Sequence, residues 1–520
     1  MCDGGRFVMK SIKSNIINEI ASIVGKENCS TSIADLYAYG FDASIHHANP
    51  DVVVRPGTTE EVQKIVRLAN REMIPIVPRG AGTALCGHAV PVAGGILLDM
   101  TRMSKVLEIR VEDLYCVVEP GIVYDKLNSE LQKRGFWFPP TPGSGEMCTV
   151  GGMVATNASG MKAIKYGATR DYVMGLEVVM PNGDIAQLGT RTLKDASGYQ
   201  LARLMVGSEG TLGVITKIIL RISPMPQKKA AVLASFEKIR DAGQCVSNII
   251  AKPIIPAAIE FMDKVCIQAV NKAVNAGFPD CEAVLIIESD GHPNVVKEEI
   301  EKIKEVCKSS GAIKVEMTED IATMNKWTAS RKAVLPALSR LGEKYVSVSL
   351  ADDMGVPISK IPDAVVAFQE IAKKNNVIVG TYGHAGDGNL HTKMLVDPVS
   401  KESWQNGENA TREIFDVCIS LGGTVTGEHG VAITKAPYMM KERASSISIM
   451  KSIKRALDPN NIMNPYKNVF WEKGILHNLR YPVENMDNEM NKENKDKDKD
   501  KNKNQDKNQD KNLDKIEGVN

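Results

Sequence analysis

At 520 residues the chain is too long for one ordinary hydrophobic core, so two or three domains are expected. A hydrophobic fraction of 43% is ordinary for a soluble globular protein, and a formal net charge of +1 argues against a nucleic-acid binder that works by bulk charge. Ten scattered cysteines with no CxxC pair favour reduced thiols in a cytosolic protein over a disulfide, iron–sulfur or structural zinc pattern. No apolar run is long enough to span a membrane, and MCDGGRFVMKSIKSN lacks the apolar core of a secretory signal; Met9 is a second candidate start.

Residues 10–27 read as a helix, because Ile12, Ile16, Ile17, Ile20 and Ile23 form a stripe at helical spacing. A mixed segment follows at 33–48, whose Tyr37, Tyr39 and Phe41 are expected to pack on the first domain. Val52–Val54 is a short strand, and Thr58 or Thr59 caps a helix that runs to about Arg71 with Glu60 and Glu61 in its first turn. A strand at 74–77 opens into PRGAGTALCGHAVP, residues 78–91, where Gly80, Gly82 and Gly87 allow close approach of backbone to a ligand. Read alone, these glycines fit a tight loop between strands equally well. Further strands are expected at 95–99 and 115–121, a helix at 123–134, and a proline-stiffened stretch at 138–144.

Two more glycine-rich runs follow, TVGGMVATNASG at 149–160 and VGSEGTLGVIT at 206–216. Three such runs within one domain-sized span suggest a long, phosphate-bearing cofactor threaded through backbone loops. The familiar nucleotide motifs fit poorly. Gly82 to Gly87 has Walker A spacing, but His88 stands where lysine is required. Leu85 occupies the third glycine position of the dinucleotide fingerprint.

Pro224 and Pro226 mark a boundary. Beyond it, strands at 230–236, 282–288, 313–317, 346–350 and 377–381 are interspersed with helices at 239–252, 294–310 and 361–374. This is an α+β pattern with helices expected on one face of a sheet, resembling a ferredoxin-like plan. Long helices at 405–421 and 446–457 make a small helical C-terminal part. From about Glu484 the chain becomes a Lys/Asn/Asp-rich run without aromatics, read as a disordered tail over 484–520. The expected organisation is an N-terminal helical segment at 1–45, a cofactor domain at 46–226, a substrate or cap domain at 227–475, and the tail.

The segments VRPGTTEEV, PRGAGT, TVGGMVATNASG and GSEGTLGVIT resemble, in order and number, the FAD-binding domain of the vanillyl-alcohol oxidase-type flavoproteins, and within them the glycolate oxidase/D-lactate dehydrogenase group. The resemblance implies a two-lobed FAD-binding domain and a cap domain. It implies FAD contacts from Arg79, Gly80, Ala81, Gly82, Thr83, Gly87, His88, Pro142, Thr149, Gly152, Asn157, Ser159, Gly160, Gly213 and Ile215. Thr83 stands where some relatives carry a flavin-linking histidine, so the FAD is expected to be non-covalent. His88 departs from the small residue usual there, and either contacts the pyrophosphate or fills space.

Two further motifs carry chemistry, HAGDGNLH at 384–391 and GEHG at 427–430. Two histidines seven apart lie on opposite faces of an ideal strand, so a bend at Gly386 and Gly388 is needed before both can meet one ion. Imidazole and carboxylate suit Zn²⁺ or Mn²⁺, although interior hydrogen-bonded histidines are an equally open reading of either motif alone. By resemblance to flavin-dependent D-2-hydroxy acid dehydrogenases, His384, His391 and Glu428 are the metal ligands and His429 is the general base. Arg331 resembles the arginine that holds the substrate carboxylate, with Lys344 a second candidate. The expected activity is oxidation of a small 2-hydroxy acid, D-lactate or glycolate, by hydride transfer to the flavin; a larger acid such as D-2-hydroxyglutarate, or a flavin-binding subunit role, is the alternative. The resemblance implies an electron acceptor such as an electron-transferring flavoprotein, an iron–sulfur subunit or a quinone, and the protein is expected to be cytoplasmic, with a peripheral place at the membrane through a partner left open.

Overall fold

A computed structural model describes residues 12–342 and 344–471, together with the backbone of 478–479. The tail expected over 484–520 lies outside the described residues. The first lobe carries a four-stranded sheet in the order Cys29–Ser30, Val52–Val54, Ile96–Asp99 and Ile76–Arg79, the last two contacts parallel. Parallel neighbours require a crossover, supplied by helix Thr59–Glu72. Thr58 caps that helix by accepting the amide hydrogen of Glu61, and Val62, Ile65, Val66, Leu68 and Ala69 bury its apolar face. The N-terminal helix Ser14–Val24 packs Ile16, Ile20 and Val24 into the same core. Tyr37 does not follow its expectation: its side chain touches Phe41 and His47 but stays 57% exposed, because helix Ile33–Tyr39 has no buried residue.

The second lobe is a five-stranded antiparallel sheet, in the order Ile185–Gly189, Val173–Val179, Val214–Arg221, Tyr115–Val118 and Val106–Arg110. Helices Tyr124–Gln132 and Val150–Thr156 pack into its core. Thr149 caps the second of these through its hydroxyl and the Gly152 amide, which sets the glycine run at the mouth of a helix. After Asp458 the chain returns to the first lobe, where the Asn464 amide donates to the Ile76 carbonyl at 2.8 Å and the Ile76 amide donates to the Ile462 carbonyl at 2.7 Å.

The third unit is an eight-stranded antiparallel sheet. Its central path runs Lys314–Thr318, Lys228–Phe236, Ala283–Gly291, Ala258–Asp263, Ile378–His384, Asn389–Val396 and Val346–Val348. Helices cover both faces, not one as expected. Ala230, Val232, Ala234 and Phe236 meet helices Ile239–Ile250, Pro293–Ser309 and Ile361–Lys374, whereas Ala231 and Leu233 join a second cluster with Ile267, Trp327 and Leu338. The physical reason lies in the sequence of that strand: its apolar residues do not alternate with polar ones, as a strand buried on both sides requires.

Candidate active site

Between the lobes and the third unit lies a cavity of about 660 Å³, walled by all three glycine-rich runs and by the two histidine motifs. Arg79, Gly80, Ala81, Gly82, Thr83 and His88 line it from the first run, with Pro142, Thr149 and Gly152 from the middle of the chain and Gly213 and Ile215 from the third run. Gly87, Asn157, Ser159 and Gly160 stand behind this wall. Asn157 ends helix Val150–Thr156 in a left-handed conformation, and its side chain accepts from the Arg170 amide at 2.9 Å. At two positions the cradle is too tight for a side chain. A Cβ on Gly80 would lie 2.2 Å from the Thr149 hydroxyl, and one on Gly160 (φ +126°) 1.9 Å from the Thr141 carbonyl. Gly80 lines the cleft as bare backbone where an extended anionic group would lie, which fits FAD, whereas Gly160 packs against Thr141 outside the lining.

His88 is buried against Glu209, with Nε2 at 3.4 Å from Oε1. Glu209 also accepts the amide hydrogens of Val431 at 2.7 Å and Ala432 at 2.9 Å. Burial alone would raise its pKa, but His88 and these amides prevail and bring it down to about 2. The third glycine run is in this way tied to the chain just beyond GEHG.

The histidine motif forms a hairpin rather than a bent strand. Strand Ile378–His384 turns through Ala385–Asp387 into Asn389–Val396, with Tyr382 opposite His391 and His384 opposite Asn389. His384 shares a face with Tyr382, two residues earlier, so the turn puts both imidazoles on one side with ring centroids 5.2 Å apart. Three ring nitrogens converge on Glu428 Oε1: Nε2 of His384 at 3.4 Å, of His391 at 3.5 Å and of His429 at 3.6 Å. A tetrahedral ion with ligands at about 2.0–2.1 Å separates its donor atoms by about 3.3–3.4 Å, so these atoms fit a divalent cation.

The opposite ring nitrogens face carboxylates that the sequence reading missed, hydrogen-bonded at His384 and in looser charge contact at His391 and His429. Glu260 lies directly across from His384 in the sheet and sits 2.7 Å from its Nδ1. Asp352 lies 3.3 Å from Nδ1 of His391 and 3.4 Å from Nδ1 of His429, and pairs with buried Lys393. Carboxylates at Nδ1 aim Nε2 inward, as in metal sites with a supporting outer layer. Burial pushes the His429 pKa down, but Asp353 and Asp352 push it up and prevail; for His391 burial wins and the pKa falls.

Asp353 also lies close enough to His391, Glu428 and His429 to count among the ligands of an ion. Its oxygens are already committed. They accept from Asn389 Nδ2 at 2.9 Å, Thr426 Oγ1 at 2.7 Å and the amides of Gly427 (3.1 Å), Glu428 (2.9 Å) and His429 (2.9 Å). Buried Lys435 adds a sixth contact at 2.8 Å. Asp353 is thus the anchor of the GEHG loop, and His384, whose Nε2 also faces Glu428 Oε1, is the candidate third ligand beside His391 and Glu428.

Arg331 ends helix Ile321–Lys332, is buried, and lines the cavity. Its Nε pairs with Glu260 Oε2 at 2.8 Å, its guanidinium lies over the Tyr382 ring at 4.5 Å, and its Nη2 has no hydrogen-bond partner among the described residues. Lys344 does not join it: 67% exposed, it pairs with Asp397 at 3.0 Å, and the lysines on the cavity wall are Lys332 and Lys393. A signal for Glu260 existed in the sequence, an acidic residue between Ile259 and Phe261 in the otherwise apolar run of AIEFMD that ends at Asp263.

Comparisons with known proteins agree with this geometry. Residues 50–189 match the family described as FAD binding domain, and residues 225–468 match FAD linked oxidases, C-terminal domain. The glycolate oxidase subunit GlcD of Bacillus subtilis is 40% identical, covering 88% of this chain and 97% of that protein. The mitochondrial D-lactate dehydrogenase [cytochrome] of Arabidopsis thaliana is 34% identical, over 88% of this chain and 80% of that one. Among solved structures, 4-ethylphenol oxidase from Gulosibacter chungangensis superposes with a TM-score of 0.72 at 19% identity, covering 89% of this chain and 98% of that one. No helix among the described residues is long and apolar enough to cross a membrane. With glycine-run cradle, convergent histidines and both domain matches in agreement, the chain belongs to the FAD-linked oxidases of the vanillyl-alcohol oxidase type, as an FAD-dependent oxidoreductase akin to the 2-hydroxy acid dehydrogenases.

Proposed function

We propose that this protein oxidises a small 2-hydroxy acid, D-lactate or glycolate, to the 2-oxo acid. The observation that carries the reading is the placing of Arg331, with its unpartnered Nη2, on the same cavity wall as the three imidazoles that face Glu428. Arg331 holds the substrate carboxylate as a charge-assisted pair. His384, His391 and Glu428 would hold a divalent cation, Zn²⁺ or Mn²⁺, which would supply positive charge beside the substrate hydroxyl and so favour its deprotonation. His429 Nε2 takes the hydroxyl proton, and Asp352 at its Nδ1 orients the ring and stabilises the imidazolium that results. The glycine cradle, with Thr83 on its wall, would hold a non-covalent FAD, which would supply the acceptor for the substrate's hydride.

The glycolate oxidase relative is named as a subunit, which favours a second reading: the chain works within an assembly and delivers its electrons to a partner flavoprotein, iron–sulfur subunit or quinone. A dye-linked assay of the isolated chain separates the two. Turnover of D-lactate or glycolate without a partner, lost in His429→Ala while FAD stays bound, supports the self-sufficient site. Turnover only with a co-purified partner supports the subunit reading, and wild-type rates in His429→Ala sink the base assignment.

A further inference from the structure

Helix Ile321–Lys332 carries the substrate arginine, yet it is poorly held by apolar contacts. Its buried residues are Met324, Trp327, Ser330 and Arg331, and only the first two are large and apolar. One turn before Arg331, Thr328 donates its hydroxyl to Glu288 Oε1 at 3.2 Å. The other oxygen of Glu288 pairs with Lys162 Nζ at 3.2 Å. Lys162 comes from the FAD-binding side, two residues after Gly160, and also pairs with Asp290 Oδ2 at 3.2 Å. These side chains are largely shielded from water, with Lys162 11%, Glu288 13% and Asp290 0% exposed.

The same short segment touches the metal side of the site, because the Ser159 hydroxyl donates to Glu428 Oε2 at 3.0 Å. Lys162 itself does not line the cavity.

We propose that Lys162 is a positioning residue for substrate binding, acting through Glu288 and Thr328 to set the helix that presents Arg331, so that the flavin loop and the carboxylate clamp are aligned by one buried polar chain. The proposal rests on the reading of Arg331 as the carboxylate clamp. A buried charge-assisted hydrogen bond is directional as well as strong, which suits this task better than an apolar contact that tolerates sliding. Asp290 is held independently by Lys165 Nζ at 2.7 Å and Tyr166 Oη at 2.7 Å, so removing the Lys162 amine does not strand its charge.

The test compares FAD-loaded wild type, Lys162→Met, Lys162→Arg and Thr328→Val by two readouts. The first is amide hydrogen exchange along residues 321–332. Exchange there is expected to quicken in Lys162→Met and Thr328→Val, and to return towards wild type in Lys162→Arg. The second is steady-state kinetics with the acid that wild type oxidises. KM is expected to rise about tenfold in both variants, with kcat within about twofold and FAD content unchanged, and the double variant no worse than the poorer single one, as two links of one chain behave. Unchanged exchange in Lys162→Met overturns the proposal whatever the substrate proves to be. Faster exchange with unchanged KM overturns it too, as does a fall in kcat with KM constant. A wild type that oxidises no 2-hydroxy acid defeats the functional reading instead, and the exchange readout still decides whether Lys162 holds the helix.

Discussion

Replacing Asp353 by asparagine separates an anchor from a metal ligand. In the structure its two oxygens accept six contacts, three from the backbone of the loop that carries Glu428 and His429 and one from buried Lys435. Asparagine keeps the shape but turns one oxygen into a donor that faces other donors. At least two of these contacts are lost, namely those at the less crowded Oδ1, from Asn389 and the Glu428 amide. Lys435 is also left buried without its counter-charge, and breaking a buried pair from one side costs about 3–5 kcal/mol. With a urea slope of about 2–3 kcal/mol per molar, the midpoint should fall by roughly 1–2.5 M. The assay is urea unfolding of chelator-treated protein, wild type against Asp353→Asn, followed by tryptophan fluorescence. An anchor is needed without metal, so the full loss is expected in the chelated protein. Equal or greater stability of the chelated variant would refute the reasoning, because removing one carboxylate from an empty cation site relieves repulsion.

Glu260 bridges Arg331 and His384, so Glu260→Gln should act on both at once: metal affinity falls about 10- to 100-fold and KM for the acid rises, with both read from metal titration and kinetics on the same preparation. A change in only one of the two would contradict the bridge. For Glu209 the sign runs with acid: its folded pKa of about 2 lies below an unfolded value of about 4.3, so its contribution is fully present above that upper value and is lost as pH falls towards the lower. Acid unfolding of Glu209→Gln should therefore be less stable than wild type at neutral pH, with the difference shrinking between about pH 4 and 2; a difference independent of pH over that window would count against the assignment.

The parts of the molecule that the sequence made readable are those fixed locally. Glycine runs constrain their own backbone, and the helices Thr59–Glu72, Pro293–Ser309 and Ile361–Lys374 announce themselves by apolar period, with a Thr58 cap on the first and a proline in the first turn of the other two. What escaped depends on pairing across distance. Glu260 reaches His384 only because strands 124 residues apart lie in register. Asp352 and Asp353 join the site from a turn whose neighbours are set by the hairpin at 378–396. The bend expected at Gly386 and Gly388 was a whole hairpin reversal for the same reason: alternation says which face a residue takes on its own strand, not which strand comes beside it. Lys344 pairs with Asp397 at the surface, whereas Lys332 and Lys393 line the cavity, and Lys393 sits in a fully buried strand where its charge is balanced by Asp352.

The central claim is oxidation of a 2-hydroxy acid at the cavity shared by Arg331, His429 and the FAD cradle. The most direct measurement mixes the purified flavoprotein, without oxygen, with a panel of D- and L-2-hydroxy acids and follows the visible absorbance of the oxidised flavin. Bleaching by D-lactate or glycolate, absent in His429→Ala, is the predicted result. A yellow protein that no 2-hydroxy acid bleaches would contradict the account.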